Sequence, residues 1–148
     1  QIYRHCGNGW RKIFNVYAKL LFALPPTLFP FTAAASSWQQ YRDEQLLQRC
    51  SNTALCFSEP QFGSDDGVCH LIAGRTLAKQ LLGQGLPAEF HWLSAEFAVD
   101  PGRKLIVTPF FDYRQLNNEK IGVSAKLLQL LKEDVTDIAR YALIVQHP

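Results

Sequence analysis

The chain has 148 residues, of which 47% are hydrophobic and 19% are charged, and its net charge is +2. This length fits one domain, 1–148, with a sizeable core. The net charge is too small for the electrostatic field of the whole protein to indicate binding to nucleic acid or to a membrane. No apolar run approaches the roughly 20 residues of a membrane-spanning helix, so the sequence predicts a cytoplasmic protein without membrane contact.

Two features concern the ends and the cysteines of the chain. It begins with Gln1 and contains no methionine, so we expect a fragment that lacks an N-terminal strand. The cysteine spacing contains no C-x-x-C pair, which favours reduced thiols over a disulfide framework. The cysteines are Cys6, Cys50, Cys56 and Cys69.

The first half of the chain predicts two helices and one strand. In "GNGWRKIFNVYAKLLFAL", apolar residues recur at helical spacing, Asn8 is a candidate N-cap, and the run ends at Pro25 and Pro26. "PPTLFPFTAAA" is a proline-set loop, and Ser36 or Ser37 caps a second helix, "SWQQYRDEQLLQRC". "TALCF" is a short strand candidate, and "SEPQFGSDDG" is a turn-rich loop.

The second half repeats a pattern of apolar strand followed by helix. "GVCHLIAG" predicts a buried strand and "RTLAKQLLG" a short helix, whereas "QGLPAEFHWLSAEFAVDPG" has no firm assignment. "KLIVT" predicts another buried strand, and "NNEKIGVSAKLLQLL" a turn and a helix. The last part is either one long helix or two helices broken near Asp134.

Apolar strands that alternate with amphipathic helices indicate an α/β fold. We expect a three-layer α/β/α arrangement with a small, mostly parallel sheet of three to four strands and helices on both faces.

In such sheets ligands bind beyond the carboxyl ends of the strands, which indicates the two loops that follow the predicted strands. Arg75 and Thr76, after Gly74, are candidates for phosphate contact at a helix N-terminus. The second loop offers rings that can stack on a base and polar groups that can read it. Its candidate ligand-binding residues are Phe110, Phe111, Asp112, Arg114 and Asn117.

A purely structural interpretation of the second loop stays open as well. Asp112 can cap the following turn, Phe110 and Phe111 can close the core, and Arg114 can pair with Asp112. The sequence contains no phosphate-loop, dinucleotide-binding or nucleophile-elbow motif, and its His and Cys spacings match no zinc module. We therefore expect no metal and no cofactor.

Three segments follow one another in an order that resembles the uracil-DNA glycosylase superfamily over residues 8–131. They are "GWRKIFNVYAKLL", "LIAGRTLAKQLL" and "LIVTPFFDYRQLNN". In that family the last strand ends in a His-Pro-Ser loop, and matching Thr108-Pro109 to its Ser-Pro puts Phe110, Phe111 and Asp112 at the motif positions. The resemblance implies a divergent branch without the histidine that stabilises the departing base.

Three functions follow from these observations. The first is non-catalytic binding of a nucleotide or nucleic acid at the strand ends. The second is a divergent base-excision glycosylase in which Asp112 is the candidate catalytic residue, Phe111 stacks on the flipped base and Asn117 reads its edge. The third is a structural or protein-interaction domain that uses the aromatics of "PPTLFPF".

Overall fold

A computed structural model of the chain describes residues 8–29, 35–44 and 68–147. Five α-helices and four β-strands lie in these ranges. The helices are α1 (Asn8–Phe22), α2 (Trp38–Glu44), α3 (Arg75–Gly83), α4 (Asn118–Lys132) and α5 (Ile138–Gln146). The strands are β1 (His70–Ala73), β2 (His91–Trp92), β3 (Ala98–Asp100) and β4 (Leu105–Thr108). The predicted strand "TALCF", the loop "SEPQFGSDDG" and three of the four cysteines lie outside the described residues.

The four strands form one small sheet in the order β1-β4-β3-β2, which confirms the predicted α/β class. β1 pairs with β4 in parallel, from His70 opposite Leu105 to Ala73 opposite Thr108. The other two pairings, β3 with β4 and β2 with β3, are antiparallel. The sheet is therefore mixed, and the prediction of a mostly parallel sheet is not confirmed.

The connection between β3 and β4 explains the reversal of strand direction. It consists of a 3₁₀ turn, Pro101–Arg103, followed by Lys104 with a left-handed φ of 50°. A parallel connection needs a crossover of a dozen or more residues, so a turn this short joins only antiparallel neighbours. Asp100, buried at the end of β3, accepts hydrogen bonds from the Arg103 side chain at 3.0 Å and the Glu89 N–H at 2.9 Å.

The helices follow the sequence signals closely. α1 ends at Phe22, shortly before the two prolines, and α3 covers the predicted nine residues. The N–H of Gln40 donates to Ser37 Oγ at 3.2 Å, so Ser37 is the cap of α2. The C-terminal pattern forms two helices, α4 and α5, because Asp134 has a left-handed φ of 60° between them.

Buried side chains form a larger and a smaller cluster. The larger one combines α1, α4 and α5 with Ile106 of β4, and the smaller one contains Ala78 of α3 with Leu105 and Val107 of β4. Along β4, Ile106 thus belongs to one cluster and its neighbours Leu105 and Val107 to the other, as the alternation of side chains along a strand allows. Within the described ranges no helix is long and apolar enough to cross a bilayer.

Parallel pairing of β1 with β4 fixes where the following loops begin. The N–H of Gly74 donates to the Thr108 carbonyl at 2.8 Å, which extends the pairing one residue past β1. The loop into α3 and the loop into α4 therefore start side by side at one edge of the sheet.

Candidate functional site

Gly74 and Phe110 bring the two loops into contact. Gly74 precedes α3 with φ 107° and ψ 133°, a conformation that side-chain-bearing residues rarely adopt. A Cβ at this position would lie 3.9 Å from the Cβ of Phe110, so the first residues of the two loops pack together. The Phe110 side chain nevertheless stays 44% exposed. An aromatic ring is thus presented beside the start of α3.

The two adjacent phenylalanines, both predicted to bind a ligand, have different environments. Phe111 is only 8% exposed, and its ring stacks on Tyr17 of α1 with centroids 5.3 Å apart. Of the two interpretations left open by the sequence, Phe111 fits the one in which it closes the core. Phe110 alone of this pair offers a ring to a ligand.

Asp112 shapes the loop through backbone contacts. Its Oδ1 accepts the N–H of Arg114 at 2.8 Å, and its carbonyl accepts the N–H groups of Gln115 and Leu116 at 2.9 and 2.7 Å. The predicted pairing of Arg114 with Asp112 therefore uses the backbone N–H of Arg114. This arrangement is the turn cap that the sequence allowed.

The Arg114 side chain is held by the exposed ring of Tyr113. Its Nε donates to Tyr113 Oη at 3.2 Å, and the guanidinium carbon lies 5.5 Å from the Tyr113 ring centroid. This hydrogen bond raises the pKa of Arg114 above its ordinary value, and an arginine guanidinium is charged at neutral pH in any case. Tyr113 is 54% exposed. The loop thus presents a cation and a second aromatic ring to solvent.

Asn117, predicted to bind a ligand, caps α4. Its Oδ1 accepts the N–H of Lys120 at 3.0 Å, as an N-cap residue does. The side-chain oxygen therefore stabilises the helix.

A third loop, for which the sequence analysis made no structural prediction, reaches the same edge. Because β3 runs antiparallel to β4, the β2–β3 connection, residues 93–97, lies beside the carboxyl end of β4. Arg75 Nη1 donates to the Ala95 carbonyl at 3.4 Å. Lys120 Nζ lies 2.7 and 2.9 Å from the two carboxylate oxygens of Glu96. Arg75 and Thr76 were both predicted to contact a phosphate. The Arg75 side chain connects the start of α3 to the β2–β3 connection, and Thr76 is exposed.

Two exposed residues near this edge were missed by the sequence reasoning. Trp92 ends β2 inside the unassigned segment, and Lys79 lies one turn into α3. Neither carries a motif, and a two-residue strand is too short to give a periodic signal. No sequence pattern available here would have found them.

The titratable groups of β1 lie away from this edge. Burial raises the pKa of the Cys69 thiol and lowers that of His70, and both residues lie at the amino end of β1. In the described ranges no group of three His, Cys, Asp or Glu residues is arranged to hold a metal ion. The arrangement at the carboxyl edge can hold an anion and a planar ring.

The fold and these loops define an α/β protein with a small mixed sheet and an exposed aromatic and cationic surface at the carboxyl ends of β1 and β4. The chain belongs to a family of unknown function, DUF6942, whose family profile matches residues 1–129. No curated protein and no solved structure gives a significant match. The resemblance to the uracil-DNA glycosylase superfamily gains no support from these comparisons and stays a sequence-based prediction.

Proposed function

We propose that this protein binds a nucleotide or a nucleic acid at the carboxyl ends of β1 and β4, without catalysing a reaction on it. The observation that carries the proposal is the half-exposed side chain of Phe110, whose Cβ lies 3.9 Å from the position of a Cβ at Gly74, the residue before α3. An aromatic ring next to a helix N-terminus pairs a stacking surface for a base with a positive pole for a phosphate.

The start of α3 suits a phosphate group for two reasons. Gly74 provides no side-chain cap, so the N–H groups of the first turn keep their capacity to bind an anion. The helix sequence "RTLAKQLLG" contains no acidic residue, and Arg75 is its first residue. Both features favour negative charge at this position.

Arg114 and Tyr113 support the same proposal from the other loop. The guanidinium is charged and exposed, and it donates a hydrogen bond to the Tyr113 hydroxyl. Arginine of this kind binds phosphate, and an exposed tyrosine stacks on a base.

The proposal also includes the arrangement of the helices on the two faces of the sheet. We infer that the sheet lies between two helix layers, with α3 on one face and α1, α4 and α5 on the other. The alternation of β4 side chains between the two buried clusters supports this arrangement.

The two other candidate functions have less support in the described residues. For a glycosylase, the Asp112 carboxylate already accepts the Arg114 N–H, and Phe111 packs in the core instead of facing a flipped base. For an interaction domain that uses "PPTLFPF", Phe29 is only 8% exposed, and Phe31 lies outside the described residues.

Fluorescence anisotropy with labelled single- and double-stranded DNA, some containing uracil, tests the proposal at two salt concentrations. We expect salt-sensitive binding that Arg114→Ala weakens, because each phosphate contact displaces a counterion. Arg140→Ala is the matched control, since Arg140 is exposed on α5. Equal affinity of the two variants would contradict the proposed location, and a failure of mononucleotides and of every DNA to bind would reject the function. Release of uracil would instead favour the glycosylase.

A further inference from the structure

The edge strand β2 carries an exposed aromatic ring with a lysine beside it. Trp92 is 39% exposed, and Lys79 Nζ lies 5.6 Å from its ring centroid. Phe90 meets the same ring edge-on, with centroids 6.2 Å apart and an angle of 70°. The indole is therefore supported from one side and open to solvent over part of its surface.

α3 connects this ring to the proposed nucleotide site. Arg75 and Lys79 are four residues apart, so their Cβ atoms lie about 6 Å apart on one side of the helix. Arg75 lies beside Gly74 at the site, and Lys79 lies beside Trp92. Two cations thus lead from the carboxyl edge of the sheet to the indole.

The charge distribution around these residues favours a polyanion. α3 carries no acidic residue, and Glu96 in the neighbouring loop is paired with Lys120. Exposed Leu77, at 43%, adds apolar surface on the same helix. A basic groove that follows a backbone, with aromatic rings for successive bases, is how proteins hold single-stranded nucleic acid.

We propose that Arg75, Lys79 and Trp92 form a track that extends the nucleotide site, so that the ligand is a single strand of nucleic acid several nucleotides long. This inference rests on the proposed function and gives it a substrate class. One base stacks on Phe110 and a later base on Trp92, while Arg75 and Lys79 contact the intervening phosphates. Duplex is disfavoured because its paired bases do not expose their faces to a side-chain ring.

A length series tests the track directly. Fluorescein-labelled oligothymidylates and oligouridylates of about 2 to 12 nucleotides, with a mononucleotide as competitor, are titrated against the full chain. We expect affinity to rise with length until the strand reaches Trp92, and the two series distinguish DNA from RNA as the source. A hairpin duplex of the same composition is expected to bind more weakly than the single strand.

Single-residue variants then show which side chains produce the rise in affinity with oligonucleotide length. Trp92→Ala is expected to weaken binding of the long oligonucleotides roughly 5- to 150-fold, as loss of one stacked base does, and to leave mononucleotide binding unchanged. Trp92→Phe, which keeps a ring, should restore most of that loss. Lys79→Gln should reduce the slope of log affinity against log salt by about 0.7, whereas Lys126→Gln, an exposed lysine of α4, should not change it.

The outcomes separate the two proposals. If mononucleotides bind but affinity does not depend on length, or if Trp92→Ala leaves the length series unchanged, the track is rejected and the site survives. If no nucleotide or oligonucleotide binds, both proposals fail. Circular dichroism of each variant ensures that a loss of affinity reflects the altered surface and not unfolding.

Discussion

Replacing Gly74 by alanine tests the backbone conformation on which the junction of the two loops depends. Its φ of 107° and ψ of 133° lie where an L-residue is strained, at a cost of roughly 1–3 kcal/mol. The added methyl group would meet nothing closer than Phe110 Cβ at 3.9 Å, which is ordinary contact. The whole penalty therefore comes from the backbone. At about 3 °C per kcal/mol for a chain of this length, the melting temperature should fall by roughly 3–9 °C.

Gly122→Ala is the matched control for this experiment. Gly122 lies within α4, and a Cβ there would have no atom within 4 Å apart from its chain neighbours and its own helix backbone. Alanine should therefore stabilise the protein by roughly 0.5–1 kcal/mol, because it reduces the freedom of the unfolded chain. Differential scanning calorimetry measures both variants. A Gly74→Ala protein that melts at or above the wild-type temperature would refute the conformation assigned to Gly74.

Two further predictions concern stability. Burial raises the pKa of Tyr141 to about 12, whereas the ordinary value, which holds in the unfolded state, is near 10. Above pH about 10 the unfolded state therefore loses this proton first. The free energy of unfolding should fall from there to pH about 12, by roughly 1–3 kcal/mol. Urea denaturation at several pH values should show this loss in wild type and in Tyr113→Phe, and a smaller loss in Tyr141→Phe, where the Cys69 thiol with its raised pKa still contributes. An undiminished loss in Tyr141→Phe would contradict the assignment to Tyr141. Phe111→Ala should destabilise by about 3–5 kcal/mol because it empties a core position against Tyr17, whereas Phe110→Ala, which removes a half-exposed ring, should destabilise by only about 1 kcal/mol. Equal urea midpoints for these two variants would contradict the different burial of the two rings.

The sequence predicts those elements whose ends carry strong local signals. Pro25 and Pro26 stop α1, because proline limits helix growth by its own geometry. α3 ends at Gly83, two residues before Gly85, whose left-handed φ of 100° closes the helix. The break near Asp134 was one of two alternatives, since periodicity continues across it. The position of the site follows from the parallel pairing of β1 with β4, a rule of strand topology that needs only the two strands.

The antiparallel half of the sheet could not be predicted. β2 has two residues and β3 has three, which is too short for an alternating pattern to be recognised. The turn between β3 and β4 uses Lys104 in a left-handed conformation, where sequence rules expect glycine or asparagine. Because β2 and β3 were not predicted, Trp92 and the loop that contacts Arg75 were not identified as parts of the candidate site.

Within the site, residue type was easier to predict than residue role. An apolar ring, an acid, an arginine and an amide were all identified in the loop after β4. Which of the adjacent rings is buried depends on Tyr17, more than 90 positions earlier in the chain, and local sequence does not encode that contact. Asp112 and Asn117 serve as caps because neighbouring N–H groups lacked other partners, a role that short polar side chains commonly take beside turns and helix starts.

NMR chemical-shift mapping of backbone amides during titration with a nucleoside monophosphate would test directly whether a nucleotide binds at the carboxyl edge of β1 and β4. We predict that the largest changes fall on Gly74, Arg75, Phe110 and Arg114, and that amides of α5 stay unchanged. Largest changes on α5, or no change anywhere at saturating nucleotide, would contradict the proposed site.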